Sequence, residues 1–347
     1  MIAVLSVGLF GSRSRAGLVG LAVCIFIGIV LFRKIIFKRK LVAFSSIIGI
    51  LVIFFGINFA LNGTLTSRII SEFKQLTSSE AQFFDLQDIS FKDRTATIVS
   101  STETLLIENR DNDLYFYDTE GKELKPNMKQ AEDSTTISFS EPLYKDYNLT
   151  VRGNVVAVKQ KGVEFQLIWA DKKFSLVGIN KEIVGNIEKA ESIGFVGQER
   201  LGSARGYIWS RIFPMLKKTI FIGHGPDVFS IEFPQNDYIG KIRAYGTPQM
   251  IVDKPHNMFL QIAVNTGVLS LLAVLVLWGF YIVQSLKLYF KNIDKSFVSI
   301  TGSSIFMAIC AYLAAGLFND STVGVASVFW VLLGLGFLCN GLNKKQT

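Results

Sequence analysis

"HNMFLQIAVNTGVLSLLAVLVLWGFYIVQ", residues 256–284, passes within a few positions from polar groups to almost unbroken apolar sequence. A helix needs about 20 apolar residues to cross the hydrocarbon of a bilayer, and the run 262–286 has that length. It opens on a histidine and an asparagine, in a chain that has only 2 histidines. A helix that served only as an anchor would have no use for an imidazole at its rim. The stretch therefore reads as a membrane span with chemistry at its mouth.

Four more runs of similar character lie at 16–32, 41–61, 297–317 and 323–342. Half of the 347 residues are hydrophobic, which puts the chain among membrane proteins. The formal net charge is +8, but the charge is unevenly spread. Residues 1–61 contain no acid, and beyond residue 255 the only acids are Asp294 and Asp320. The long middle stretch is close to neutral, so the positive balance belongs to the membrane ends. Nucleic acid is excluded as a partner, because it would require basic residues gathered on a folded face.

The connections set the orientation. RKIIFKRK (33–40) is rich in base and free of acid, Lys287, Lys291 and Lys295 follow the third run, and Lys344 and Lys345 follow the fifth. By the positive-inside rule those segments are cytoplasmic, which leaves 62–255 and the loop at 318–322 outside. The apolar opening MIAVLSVGLF is too short to span and carries its positive charges after it, the reverse of a signal peptide. It reads as the outer end of a further helix, and the chain as truncated at its N-terminus relative to its relatives.

The outer region alternates in the manner of β-strands. TATIVS, TLLIENR, NVVAVKQ and VEFQLIWA are separated by turn-like pairs, and none of 92–180 is histidine or cysteine. This reads as a small antiparallel β domain inserted between membrane helices. Cys24, Cys310 and Cys339 all fall in apolar runs and read as buried small hydrophobes. The expected fold is thus an α-helical multi-pass membrane protein of about five spans with an extracytoplasmic antiparallel β insert. Residues 1–61 form an N-terminal membrane region of a partial helix plus two spans, and 62–200 the β-rich insert. Residues 201–261 form a membrane-proximal loop containing an interfacial helix, and 262–347 three C-terminal spans. In that interfacial helix Ile208, Ile212, Met215 and Leu216 share a face, and Pro214 ends or kinks it.

Three clusters at the outer face can carry chemistry. GSRSRAG (11–17) offers Arg13 and Arg15, RGYIW (205–209) offers Arg205 and Trp209, and PHNMFLQ (255–261) offers His256, Asn257 and Gln261. Guanidinium presents forked donors suited to phosphate oxygens, and imidazole exchanges protons near neutral pH. Gly223 and Gly225 in IGHGPDVF let backbone come close to a ligand. Taken singly, each has a plain alternative: a headgroup contact for an arginine, a hydrogen-bonding anchor for the histidine.

Taken in order, the residues resemble a known pattern. Arg205 and Trp209, then Gly223, Gly225 and Phe229, then His256-Asn257 with Leu260, Gln261 and Gly267, are similar to the C-terminal signature of the O-antigen ligase/polymerase superfamily, of WaaL and Wzy type. Ser14-Arg15-Ala16 and NDSTVGVASVFWVLLGLG (319–336) are similar to that module's opening motif and closing helix. The resemblance does not reach 62–200. It implies a GT-C-like fold and transfer of a glycan from undecaprenyl diphosphate to an acceptor hydroxyl at the outer face, the acceptor being a glycan or another wall component. It implies His256 as general base, Arg15 and Arg205 as catalytic groups on the diphosphate, and Arg13, Trp209, Gly223, Gly225, Asn257 and Gln261 as substrate-binding. His224, between the two glycines, is a bystander. No cofactor or metal is expected, because the donor carries its own leaving group. The alternatives are a membrane-anchored sensor or binding protein acting through its β domain, and an inactive fragment that needs a missing N-terminal half or a partner chain.

Overall fold

The computed structural model describes residues 14–38, 85–111, 113–291 and 296–346, with isolated positions within 8–12 and 48–67. The partial helix at the start, the second span at 41–61 and the connector at 62–84 lie almost wholly outside the described residues. In chain order come α1 (Arg15–Lys38), β1 (Leu86–Lys92), β2 (Thr95–Ser100), β3 (Thr104–Arg110), β4 (Asp113–Tyr117), β5 (Pro126–Ala131) and β6 (Ser134–Phe139). β7 (Asn148–Arg152), β8 (Val155–Gln160), β9 (Val163–Ala170), β10 (Lys173–Val177) and β11 (Ile183–Val184) complete the strands. Then follow α2 (Leu201–Met215), α3 (Phe229–Glu232), α4 (Tyr238–Tyr245), α5 (Met258–Thr266), α6 (Val268–Tyr289), α7 (Phe297–Gly316) and α8 (Val323–Gln346). These elements form two compact units, one of Glu80–Lys218 with Pro226–Asp253, the other of Met1–Ser79, Thr219–Gly225 and Lys254–Thr347.

Within the second of these, four helices among the described residues are long and apolar enough to cross a membrane: α1, α6, α7 and α8. Twenty residues at 1.5 Å rise make about 30 Å, the hydrocarbon thickness. α1 packs on α7 through small residues: a Cβ on Gly20 would lie 2.7 Å from the Ala311 carbonyl oxygen. Close backbone approach of this kind replaces the hydrophobic drive that lipid cannot supply. The Arg33 guanidinium donates to the Phe290 carbonyl and lies 4.2 Å over its ring, so the basic ends of α1 and α6 sit side by side. Near the C-terminal ends of α6 and α8, Tyr289 OH donates to Asn340 Oδ1 at 2.8 Å and Asn340 Nδ2 donates to Ser285 Oγ at 2.9 Å. An amide in a span must find such partners, because no water is there to serve.

The third apolar run divides. α5 ends at Thr266, and the span proper, α6, begins at Val268. Gly267 separates them at φ 104, ψ 155, a conformation that helical residues do not take.

The β unit contains a four-stranded sheet ordered β1-β2-β3-β4 and a seven-stranded sheet ordered β11-β10-β9-β8-β7-β6-β5. Every ladder is antiparallel between chain neighbours. Four of the hairpins close through two-residue turns: Asp93, Gly153, Lys161 with Gly162, and Asp171 with Lys172 all have positive φ, as primed hairpin turns require. Alternation then puts one side of each strand inside, as in β2 with Ala96, Ile98 and Ser100 buried. Leu105, Ile107, Phe116, Val158, Phe165, Leu167 and Leu176 share one core, which Tyr238, Ile239 and Ile242 of α4 complete. α2 becomes regular only after three left-handed residues, Gly202, Ser203 and Ala204, and buries Tyr207, Ile208 and Ile212 within this same unit.

Candidate functional site

His256 precedes the first turn of α5 and has positive φ, 51°. Its Nδ1 lies 3.0 Å from Oδ2 of Asp320, in the loop between α7 and α8; the Asp320 side chain is only 7% exposed, the imidazole 38%. The frame around this pair comes from its neighbours. Asn257 caps α5, its Oδ1 accepting from Phe259 N and Leu260 N at 2.9 and 3.0 Å. Its amide nitrogen donates to the Leu317 carbonyl at 3.0 Å. Gln261, one turn on, accepts from Ser321 N at 2.8 Å, and Tyr312 OH meets Ser321 Oγ at 2.8 Å. The 317–322 loop is thus clipped to the start of α5 on both sides of Asp320.

A carboxylate on Nδ1 favours the tautomer that carries its proton there, which leaves Nε2 as the ring's acceptor. Asp320 Oδ1 is buried without a hydrogen-bond partner, so the carboxylate makes its bond through Oδ2 alone.

Arg15 stands exposed at the first turn of α1, where Ser14 Oγ caps the helix by accepting from Gly17 N at 3.1 Å. Gly20 of α1 packs against Ala311 and Ala315 near the end of α7, and Gly316, the last residue of α7, packs against Met258 of α5. The first turns of α1 and α5 and the last turn of α7 therefore share one end of the helices. Arg13 lies outside the described residues.

Gly223 belongs to a strap, 219–225, bonded to the far end of α5 from His256. His224 N donates to the Val264 carbonyl and Gly225 N to that of Asn265, both at 2.9 Å. A Cβ on Gly223 would lie 2.2 Å from the Asn265 carbonyl carbon, so this position requires glycine for backbone approach. Gly225 has φ 99, in the range that favours glycine.

Arg205 and Trp209 lie on α2 in the β unit. Arg205 donates to the Gly202 carbonyl, and Trp209 meets Phe195 edge-on at 6.1 Å. Around them is a charged group that the motif does not include. Arg211 Nε donates to Asp237 Oδ2 at 2.8 Å and its guanidinium lies 4.6 Å over the Tyr207 ring. Lys241 is fully buried and donates to Gln235 Oε1 at 3.0 Å. Burial pushes its ammonium down to about 8. Burial raises the Tyr245 phenol to about 12, Asp253 adding to the effect. Arg243 pairs with Glu199 at 3.0 Å.

Asp320 and Lys241 are the groups that motif reasoning passes over. Asp320 had one signal: it is the only acid in the C-terminal spans and their loops besides Asp294. Lys241 had none, since KIRAY reads as an ordinary charged helix. Among the described residues no three His, Cys, Asp or Glu side chains gather as a metal site would need.

Residues 165–275 match the O-antigen ligase family model. Over this stretch the chain is similar to the O-antigen ligase/polymerase superfamily. The matched residues of this ligase-type segment run from β9 into the first turns of α6 and include Arg205, Trp209, Gly223, Gly225, His256, Asn257 and Gln261; they exclude Arg13, Arg15 and Asp320. Comparison with curated proteins and with solved structures gave no match.

Proposed function

We propose that the protein is a glycosyltransferase that moves or polymerises a glycan from undecaprenyl diphosphate onto an acceptor hydroxyl at the outer face of the cytoplasmic membrane. The observation that supports this best is the His256–Asp320 pair, 3.0 Å apart in a frame made by Asn257 and Gln261. In the reaction the acceptor oxygen attacks the anomeric carbon and its proton passes to His256 Nε2. The bond from that carbon to the phosphate oxygen breaks, and the diphosphate leaves with the electron pair. Asp320 holds the ring and balances the imidazolium as it forms. General-base help of this kind contributes roughly 10²–10⁴-fold.

Departure of the diphosphate builds negative charge, which we assign to Arg15 and Arg205, and Arg13 belongs to the substrate-binding set; a well-placed donor contributes about 2.7–4 kcal/mol. Trp209, Gly223, Gly225, Asn257 and Gln261 complete the substrate-binding set in this reading, Asn257 and Gln261 by framing the base. The donor brings the leaving group, so the reaction calls for no cofactor. Residues 62–255 are extracytoplasmic and the C-terminus cytoplasmic in the same reading.

The test is His256→Ala in intact cells, with protein abundance and surface glycan length measured together. Loss of long glycan at normal abundance supports the assignment. Unchanged glycan would overturn it in favour of a membrane-anchored binding protein.

A further inference from the structure

The strap 219–225 does more than cross α5. Its first two carbonyls close the start of the span: Val268 N donates to Thr219 O at 2.9 Å and Leu269 N to Ile220 O at 3.1 Å. The next carbonyl, that of Phe221, approaches Gly267, where a Cβ would lie 2.9 Å away. The strap is therefore held at the level of the first turn of a helix long and apolar enough to cross a membrane.

Three consecutive large apolar side chains project there. Ile220 is 45% exposed, Phe221 76% and Ile222 81%. Single exposed apolar residues are common, but a contiguous group marks a contact. The same exposed surface continues along α6 through Leu269 and Leu272. Lys217 and Lys218 immediately precede the strap in sequence and are exposed. A basic pair followed by aromatic and aliphatic residues suits the boundary between headgroups and acyl chains. The two carbonyls bonded to α6 also let the strap enter that boundary with less unsatisfied backbone.

We propose that Ile220, Phe221 and Ile222 form a wedge that enters the hydrocarbon edge of one bilayer leaflet, beside the mouth of α6. The occupant is lipid, because the wedge is continuous with the surface of a membrane span and is held at its first turn. The proposal does not depend on the glycan-transfer reading.

The experiment places a nitroxide at Phe221→Cys or Ile222→Cys in the full chain, with Cys24, Cys310 and Cys339 replaced by alanine. The protein is reconstituted in nanodiscs of phosphatidylcholine and phosphatidylglycerol. Collision with oxygen is compared with collision with a water-soluble nickel chelate. Leu272→Cys gives the lipid reference, and Met128→Cys, on an exposed position of β5, the aqueous one. The expected result is an oxygen preference at 221 and 222 several times that at 128 and close to that at 272. A label at 221 that behaves like the one at 128, or that neither reagent reaches, would overturn the proposal. Should the cysteine-free chain fail to fold, Phe221→Trp with native cysteines and bromine-substituted lipid gives a second reading. Extra quenching beyond that of the 4 native tryptophans supports the wedge, and none refutes it.

Discussion

At the scale of single residues, the His256–Asp320 pair makes a graded prediction. His256→Ala should lower glycan transfer by roughly 10²–10⁴-fold if the imidazole is the base. Asp320→Asn keeps the shape but removes the charge that holds the ring, and should cost less than His256→Ala while shifting the pH profile. Rates measured across pH on membrane vesicles would check both; a profile that Asp320→Asn leaves unmoved would remove Asp320 from the mechanism. Lys241 supplies a stability test. Its folded pKa of about 8 lies below its ordinary 10.5, so the unfolded chain binds more protons between those values. Stability should therefore rise as pH climbs from about 8 towards 10.5, by on the order of 3 kcal/mol. Below about 8 the full cost of burying the charge is present. Lys241→Met should flatten that rise, as denaturant unfolding at several pH values would show, since Gln235 Oε1 keeps Val252 N as a donor at 3.2 Å.

Elements are joined here by a few polar clips and glycine contacts. Asn257→Ala removes a helix cap, which costs about 0.5–2 kcal/mol, and also releases the Leu317 carbonyl. The expected outcome is a lower melting temperature together with weakened transfer, because the loop carrying Asp320 loses one of its clips. Asn257→Ser, which can still cap but cannot reach as far, should recover stability more than turnover. Gly223→Ala puts a methyl group into the backbone of α5 at Asn265, and no side-chain rotation relieves that. It should reduce the amount of folded protein in the membrane, as quantitative blotting would detect.

For the whole molecule, the distribution of charge predicts sidedness. A cysteine replacing Met128 should react with a membrane-impermeant thiol reagent in spheroplasts, and one replacing Lys344 should react only after the membrane is opened. Reaction of Lys344→Cys in sealed cells would reverse the orientation. The strands and the four spans among the described residues were legible because their signals are local: run length decides whether a helix can cross lipid, and period-two alternation with turn residues marks a hairpin. The third run reads as one helix because Gly267 sits in an apolar stretch, where a glycine alone does not reveal that the strap must approach it.

The amino-acid sequence by itself determined the membrane class, the antiparallel β insert and the motif order, since each depends on neighbours along the chain. Only the tertiary structure decided that Asp320 meets His256, that Gly223 serves contact with α5, and that Lys241 is buried. Those facts depend on which distant segments pack together, and packing is set by the joint fit of many side chains.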